Sequence, residues 1–569
     1  MIEFLLEISF DKRITEHNKL FIKEPKQELY FQEPSFEFIS WGDPIMNDGF
    51  REKLSANPEP GFILNNLSGH FYFILLKKTI DEIIIGNSMF SILPLYYYKN
   101  HDKITFSDNA IQLAAHLKLN TISKRFMLET ILFNYPLFNH SIIEGINLLP
   151  SNSYIKISGT NLNIIKHTRI ETYFSSSPIR WRKAVNAIKD LFLEETVKKY
   201  LPANHYCHAL TGGFDGRTLV SAALYHKKNF SCYSFGTSDS KDTAIASRLA
   251  GIVGIPFINI ELNNYYINES SLSDGREFVE NSSGSATFAR AHYLHAAKKL
   301  SWNFEYLVTG NFGSEIFRAA HVAGVVISKC LYDLFKAKNA GEGIKALENS
   351  LEFNYLNTKN FYDAWEELKS DLFNLPCYDS EYSSFTQNQK FYVFVFEELF
   401  RKYFGAEMVN QFRYLKNRTP FLDLNFLKEL FNTELAGIHS EFFEHNPLKR
   451  YKGQVLYAHI INKAFPSFAK IITDKGYEPD DLLNFLGKLN ISISYLRKIV
   501  GRKSLYDSDP YAVNKAWENN KDFWLGLPVS EELFNINKKR SGIDKEIMFK
   551  ILSLSYLLKV FGNRYSVIG

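Results

Sequence analysis

The chain has 569 residues, 45% of them hydrophobic and 22% charged, and a net charge of +4. That length exceeds a single core and implies two or three domains of a folded soluble protein. No strongly basic block points to nucleic acid, no apolar run reaches the roughly 18 residues of a spanning helix, and the scattered Cys207, Cys232, Cys330 and Cys377 suggest neither a disulfide framework nor a zinc site.

The start of the chain lacks a basic n-region and a cleavable apolar core, so a reduced, cytoplasmic protein with no membrane partner is expected. Residues 1–170 read as strands and turns. Short β-rich runs lie at 4–10, 71–76, 82–86, 95–98 and 103–107. Asp108 or Asn109 is placed to cap a helix over 110–117, and 154–157 with 162–165 reads as a hairpin around Gly159. The serine-rich stretch 171–178 is the candidate linker. Apolar residues at helical spacing then predict a helix over 181–201, leading into a buried strand at 205–210.

The turn that follows, Leu210-Thr211-Gly212-Gly213-Phe214-Asp215-Gly216-Arg217, opens another helical run. Glycines let backbone approach a ligand closely. Successive N–H groups and a helix start make a site for phosphate. Thr211 adds a hydroxyl, and Asp215 can hold a divalent cation beside phosphate oxygens. Buried strands at 230–236 and 256–262 flank a helix over 242–253. Strand, helix, strand, helix, strand implies a doubly wound parallel sheet with its ligand at the strand carboxyl ends. A second glycine turn, Thr309-Gly310-Asn311-Phe312-Gly313-Ser314-Glu315, ends a strand beginning at Tyr306. Glu315 reads either as a solvated helix start or as a metal ligand. Beyond 480, helical patterns lie at 482–489 and 543–561 and carry no assignable chemistry.

Gly69-His70-Phe71-Tyr72-Phe73-Ile74-Leu75 followed by Phe90-Ser91-Ile92-Leu93-Pro94-Leu95-Tyr96-Tyr97 resembles the class II glutamine amidotransferase domain of asparagine synthetases. The turn at 210–217 resembles the PP-loop, S-G-G-x-D-S, and 306–317 resembles L-S-G-E-G-x-D-E-x-F. Lys416-Asn417-Arg418-Thr419-Pro420-Phe421-Leu422-Asp423 resembles E-x-R-x-P-F-L-D, and Lys475-Gly476 the lysine and glycine that reach the phosphates. In this order, over roughly 60–480, the motifs resemble the asparagine synthetase family. The resemblance implies an α+β and α/β protein: an Ntn-hydrolase-like β-sandwich with helices over 1–172, then a PP-loop synthetase domain over 173–569 with a helical tail at 485–569.

The implied cofactors are ATP and Mg²⁺. ATP would lie on Leu210, Thr211, Gly212, Gly213, Asp215, Gly216, Phe235, Thr309 and Gly310; Asp215 and Glu315 would hold the metal, and Lys475 would act in catalysis. The small, polar stretch 283–292 is the candidate substrate wall. Departures stand out. Ile2 occupies the position of the family's nucleophilic cysteine, so glutamine hydrolysis is not expected. Asn311, Ser314 and Lys416 replace acidic residues, and Gly216 replaces serine. Arg418 is expected to be a structural ion-pair partner.

The implied reaction activates a small-molecule or peptide carboxylate as its adenylate and transfers it to an amine, as in β-lactam synthetases and lasso-peptide cyclases, which also lack the cysteine. A protein partner in a biosynthetic cluster is compatible with this. Amidation by free ammonia, nucleotide binding without catalysis, and another PP-loop chemistry such as tRNA thiolation are the alternatives.

Overall fold

The computed structural model describes residues 2–10, 20–318, 320, 323–324, 326–444, 446, 452–500, 509–535 and 544–562. Eleven strands come first: β1 (Leu5–Ser9), β2 (Phe21–Lys23), β3 (Gln27–Gln32), β4 (Phe36–Met46), β5 (Leu67–Lys77), β6 (Glu82–Asn87), β7 (Tyr96–Lys99), β8 (Lys103–Ser107), β9 (Asn147–Leu148), β10 (Ser153–Ser158) and β11 (Asn161–Lys166). They form two antiparallel sheets, ordered β2-β1-β8-β7-β9 and β11-β10-β6-β5-β4-β3. Alternation drives them: in β10, Ser153, Ile155 and Ile157 are buried while Tyr154, Lys156 and Ser158 are half-buried. Phe4 of the segment entering β1 meets Trp41 of β4 at 4.9 Å and Tyr72 of β5 at 5.1 Å, ring centre to ring centre. Such aromatic pairs add about 0.5–1.5 kcal/mol each beyond area burial and join the two sheets.

The expected runs at 71–76 and 82–86 lie within β5 and β6, and the helix Ala110–Leu117 is capped by Asn109, whose Oδ1 accepts from the N–H groups of Ile111 and Gln112 at 2.8 and 3.0 Å. The longest strand pair, β4 with β5, escaped the sequence reading in part because β4 contains Gly42 and Pro44, which read as breakers. Pro44 is tolerated because β3 pairs with β4 only as far as Trp41. Beyond it, β4 has a neighbour on one side alone.

The second half carries β12 (Tyr206–Ala209), β13 (Phe230–Gly236), β14 (Phe257–Glu261), β15 (Tyr306–Val308) and β16 (Lys416–Arg418), all parallel, in the order β14-β13-β12-β15-β16. The order reverses between β12 and β15, and a crevice opens at the carboxyl ends of strands flanking such a switch. The helix expected over 482–489 is replaced by a short 3₁₀ turn, Pro479–Leu482, with the helix delayed to Gly487–Val500. Pro479 at the turn's first position and the reciprocal capping of Glu478 and Asp481 fix that turn. One continuous apolar cluster runs from Ile2 to Phe561 through both halves. Among the described residues, no helix is long and apolar enough to cross a membrane.

Candidate active site

Both glycine turns leave the sheet at the strand-order reversal. Leu210, the first residue after β12, is buried and donates its N–H to the Tyr233 carbonyl at 2.9 Å. The helix Asp215–Tyr225 starts five residues later, so its first-turn N–H groups face the mouth of the crevice. A Cβ on Gly216 would stand 2.6 Å from the Ala209 carbonyl oxygen, and one on Gly310 would stand 2.6 Å from the Asp215 Cβ. The turns therefore touch backbone to backbone, and only glycine permits it. Thr211 Oγ1 accepts from the Gly213 N–H at 3.3 Å, and the Gly212 N–H donates to Asp242 Oδ1 at 3.2 Å.

Asp474 donates its backbone N–H to the Gly212 carbonyl at 3.0 Å, which sets the next residue, Lys475, over the first turn. The Lys475 ammonium pairs with the Asp474 carboxylate at 2.9 Å. Asp242, Asp474 and Lys475 thus crowd the glycine loop, and the Asp242 carboxyl is pushed upward, first by burial and then by Asp474. Arg217, wholly buried, donates to the carbonyls of Phe468 (3.2 Å), Ile471 (2.5 Å), Ile472 (3.3 Å) and Gly212 (3.5 Å). Burial pushes its guanidinium down to about 10. This one side chain clamps the 468–472 turn against the glycine loop.

Asp215 is met from two directions, with Arg318 behind one of them. The Ser314 hydroxyl donates to Oδ2 at 2.8 Å, the Tyr457 hydroxyl donates to Oδ1, and Arg318 Nη2 reaches Ser314 Oγ at 2.7 Å. Glu315 is half-buried, and its carboxyl is pushed up to about 7, by burial first and by Asp215 second. The expected magnesium pair, Asp215 and Glu315, lies close enough for the Asp215 charge to act on Glu315. Both Asp215 oxygens accept from hydroxyls, a guanidinium stands two hydrogen bonds away, and no group of three His, Cys, Asp or Glu residues suited to a metal occurs among the described residues. Mg²⁺ is ordinarily held by one or two carboxylates together with substrate phosphates and water, so Asp215 and Glu315 are the residues that would hold it beside a bound nucleotide.

Phe235 is half-buried in an aromatic group with His292, Tyr293 and Tyr511, at centroid distances of 5.5–5.8 Å. Thr309 is turned inward: its hydroxyl donates to Asn417 Oδ1 at 2.9 Å, and its N–H to the Arg418 carbonyl at 3.1 Å. Arg418 makes a two-pronged pair with Asp43 at 2.8 and 3.0 Å, the structural role expected of it. Lys416 pairs with Glu28 and Glu305, both at 3.0 Å, and stays on the outer edge of the sheet. The stretch expected to be a substrate wall divides: Ser283 Oγ accepts from the Ala110 N–H at 3.0 Å, joining the two halves, while His292 sits beside Phe235.

Ile2 is 2% exposed and packs in the core. The adjoining chain is tied down by the Phe4 N–H on Asp108 Oδ1 at 3.1 Å, with Arg413 on the other oxygen at 2.6 Å. No thiol or hydroxyl stands at position 2. Sequence reasoning missed Arg217, Asp242, Arg318 and Tyr457. Arg217 alone gave a signal, as a cation at the end of the glycine turn.

No family model and no curated protein matches the chain. Among solved structures it is similar to glutamine phosphoribosylpyrophosphate amidotransferase from B. subtilis, complexed with ADP and GMP. The identity is 11%, over 52% of this chain and 65%, just under two thirds, of that one, with a TM-score of 0.16. A likeness this slight carries no argument about chemistry.

Proposed function

We propose that the protein is an ATP-dependent carbon–nitrogen ligase of the asparagine synthetase type that takes its amine from a source other than glutamine. One observation carries this reading: the segments around Gly212, Gly310, Arg418 and Asp474, more than 250 residues apart at the extremes, meet at the strand-order reversal. In the proposed reaction a substrate carboxylate oxygen bonds to the α-phosphorus of ATP while the bond to the β-phosphate bridging oxygen breaks. An acyl-adenylate and pyrophosphate result. The amine nitrogen then bonds to the acyl carbon, AMP leaves, and the amine gives up a proton.

In this scheme the N–H groups of the glycine turn and of the first turn of Asp215–Tyr225 meet the phosphate charge. The Lys475 ammonium exchanges Asp474 for the departing pyrophosphate. No step is assigned to a metal held by the protein. The buried aliphatic Ile2 supports an external amine, supplied on the same or a second molecule, over glutamine.

A second reading, nucleotide binding without turnover, is favoured by two particular contacts. Asp242 holds the Gly212 N–H, and Ser314 stands where a carboxylate would serve a metal. Substrate-dependent exchange of pyrophosphate into ATP separates the two. The ligase reading expects exchange with one class of carboxylic acid, whereas binding of ATP with no exchange across a broad acid panel would leave only the second. Asparagine formed efficiently from aspartate and ammonium would replace the external amine by free ammonia.

A further inference from the structure

Beside Ser314, whose hydroxyl donates to Asp215, lies a cavity of about 180 Å³. Its walls are largely apolar, with Val326, Phe391, Val395 and Leu399 among them. Its polar members are gathered. Ser314, Glu315 and Arg318 come from one short helix and the residue after it, and Tyr392 donates its hydroxyl to the main-chain carbonyls of Glu315 and Arg318. The Arg318 Nη2 binds Ser314 Oγ, and the side chain lines the cavity beside its apolar walls. A guanidinium set in an apolar wall is matched by a carboxylate. Through Ser314, Arg318 stands two hydrogen bonds, 2.7 and 2.8 Å, from Asp215 at the mouth of the crevice.

We infer that this cavity receives the acid substrate: a monocarboxylic acid whose carboxylate is held by Arg318 beside Asp215 and whose apolar group fills the space between Phe391, Val395 and Leu399. The inference rests on the ligase reading for its role but not for its binding. A void of roughly 150 Å³ takes one benzene-sized group, so the size matches a single ring or a short branched alkyl group and excludes a second ring. Aspartate is disfavoured, because its second carboxylate would face apolar walls without a counter-charge.

The test uses the full chain and two separate titrations, one with a fluorescent ATP analogue and one with acids followed by calorimetry. Phenylacetate and 4-methylpentanoate are expected to bind about tenfold or more tightly than acetate or aspartate, from the burial of their apolar groups. Val395→Phe, which fills the cavity, should abolish that preference and leave the nucleotide affinity unchanged. Leu399→Ala, which enlarges it, should shift preference toward naphthylacetate and serves if the larger side chain prevents folding. Equal binding of acetate and phenylacetate by the wild type, or a preference that survives Val395→Phe, overturns the assignment. If phenylacetate shows its preference but no nucleotide binds, the ligase reading falls and the cavity assignment stands. If nucleotide binds and the preference is absent, the reverse holds.

Discussion

Gly310 is a contact point, with no room for even a methyl group between it and the Cβ of Asp215. Gly310→Ala is therefore expected to push the two turns apart and weaken a fluorescent ATP analogue at least about tenfold, while far-UV circular dichroism stays unchanged. Retained affinity would remove the second turn from the site. Arg217 works in the opposite sense, holding by hydrogen bonds what Gly310 permits by absence. Arg217→Met keeps the volume but strands several buried carbonyls, and a loss of about 3 kcal/mol or more is expected in urea unfolding. The two residues differ in how readable they were. A glycine in a turn after a buried strand signals close approach from sequence alone. A lone arginine in a helix says nothing about which carbonyls it will meet, because those lie some 250 residues away and are set by how the 468–472 turn packs.

At the level of elements, regular strands and the helix starts were legible because alternation, capping and glycine turns are local signals. What failed was β4, whose Pro44 is allowed by the place where β3 stops, and the short turn at 479–482, where reciprocal capping outweighs an apolar pattern. Motif order alone points to Thr473-Asp474-Lys475 as part of the site; the backbone bond from Asp474 to Gly212 supplies the geometry. Lys475→Ala is expected to slow pyrophosphate exchange about 100-fold while changing nucleotide affinity by less than about threefold, the mark of a charge used as the leaving group departs. An equal loss in both measurements would make the lysine a binding group only. The Tyr457 hydroxyl, brought by the helix Lys452–Ala464, had no sequence signal: tyrosines are abundant here, and its use depends on that helix crossing Asp215.

Across the whole molecule, the two halves are joined by polar contacts as well as by the apolar cluster. Arg418 pairs with Asp43 in a partly buried contact, and His70 Nε2 lies 2.7 Å from Thr419 Oγ1 in a buried one, each joining the antiparallel sheets to the parallel-sheet half. Asp43→Asn leaves the Arg418 guanidinium without its counter-charge, and a loss of about 3–5 kcal/mol is expected in chemical unfolding. His70 is pushed down to about 4 by burial, while Asp43 works weakly against it. Its folded value lies below the unfolded one, so the unfolded chain takes up the proton first. The associated stability is fully present above about pH 6.5 and falls as pH drops toward 4, by up to about 3 kcal/mol. His70→Gln should flatten the stability–pH curve across that window; an unchanged slope would mean the ring is already protonated in the fold.

The Ile2-to-Phe561 apolar cluster has a bearing on ancestry. On the ligase reading, the first half is a module whose own reaction has lapsed. Such a module is ordinarily free to erode or detach, yet here it cannot be dropped without baring the underside of its neighbour. On the same reading Ile2, at the position of the family's nucleophile, serves only the shared interior in which it is buried. On that reading, selection for a foldable partner is enough to keep such a segment.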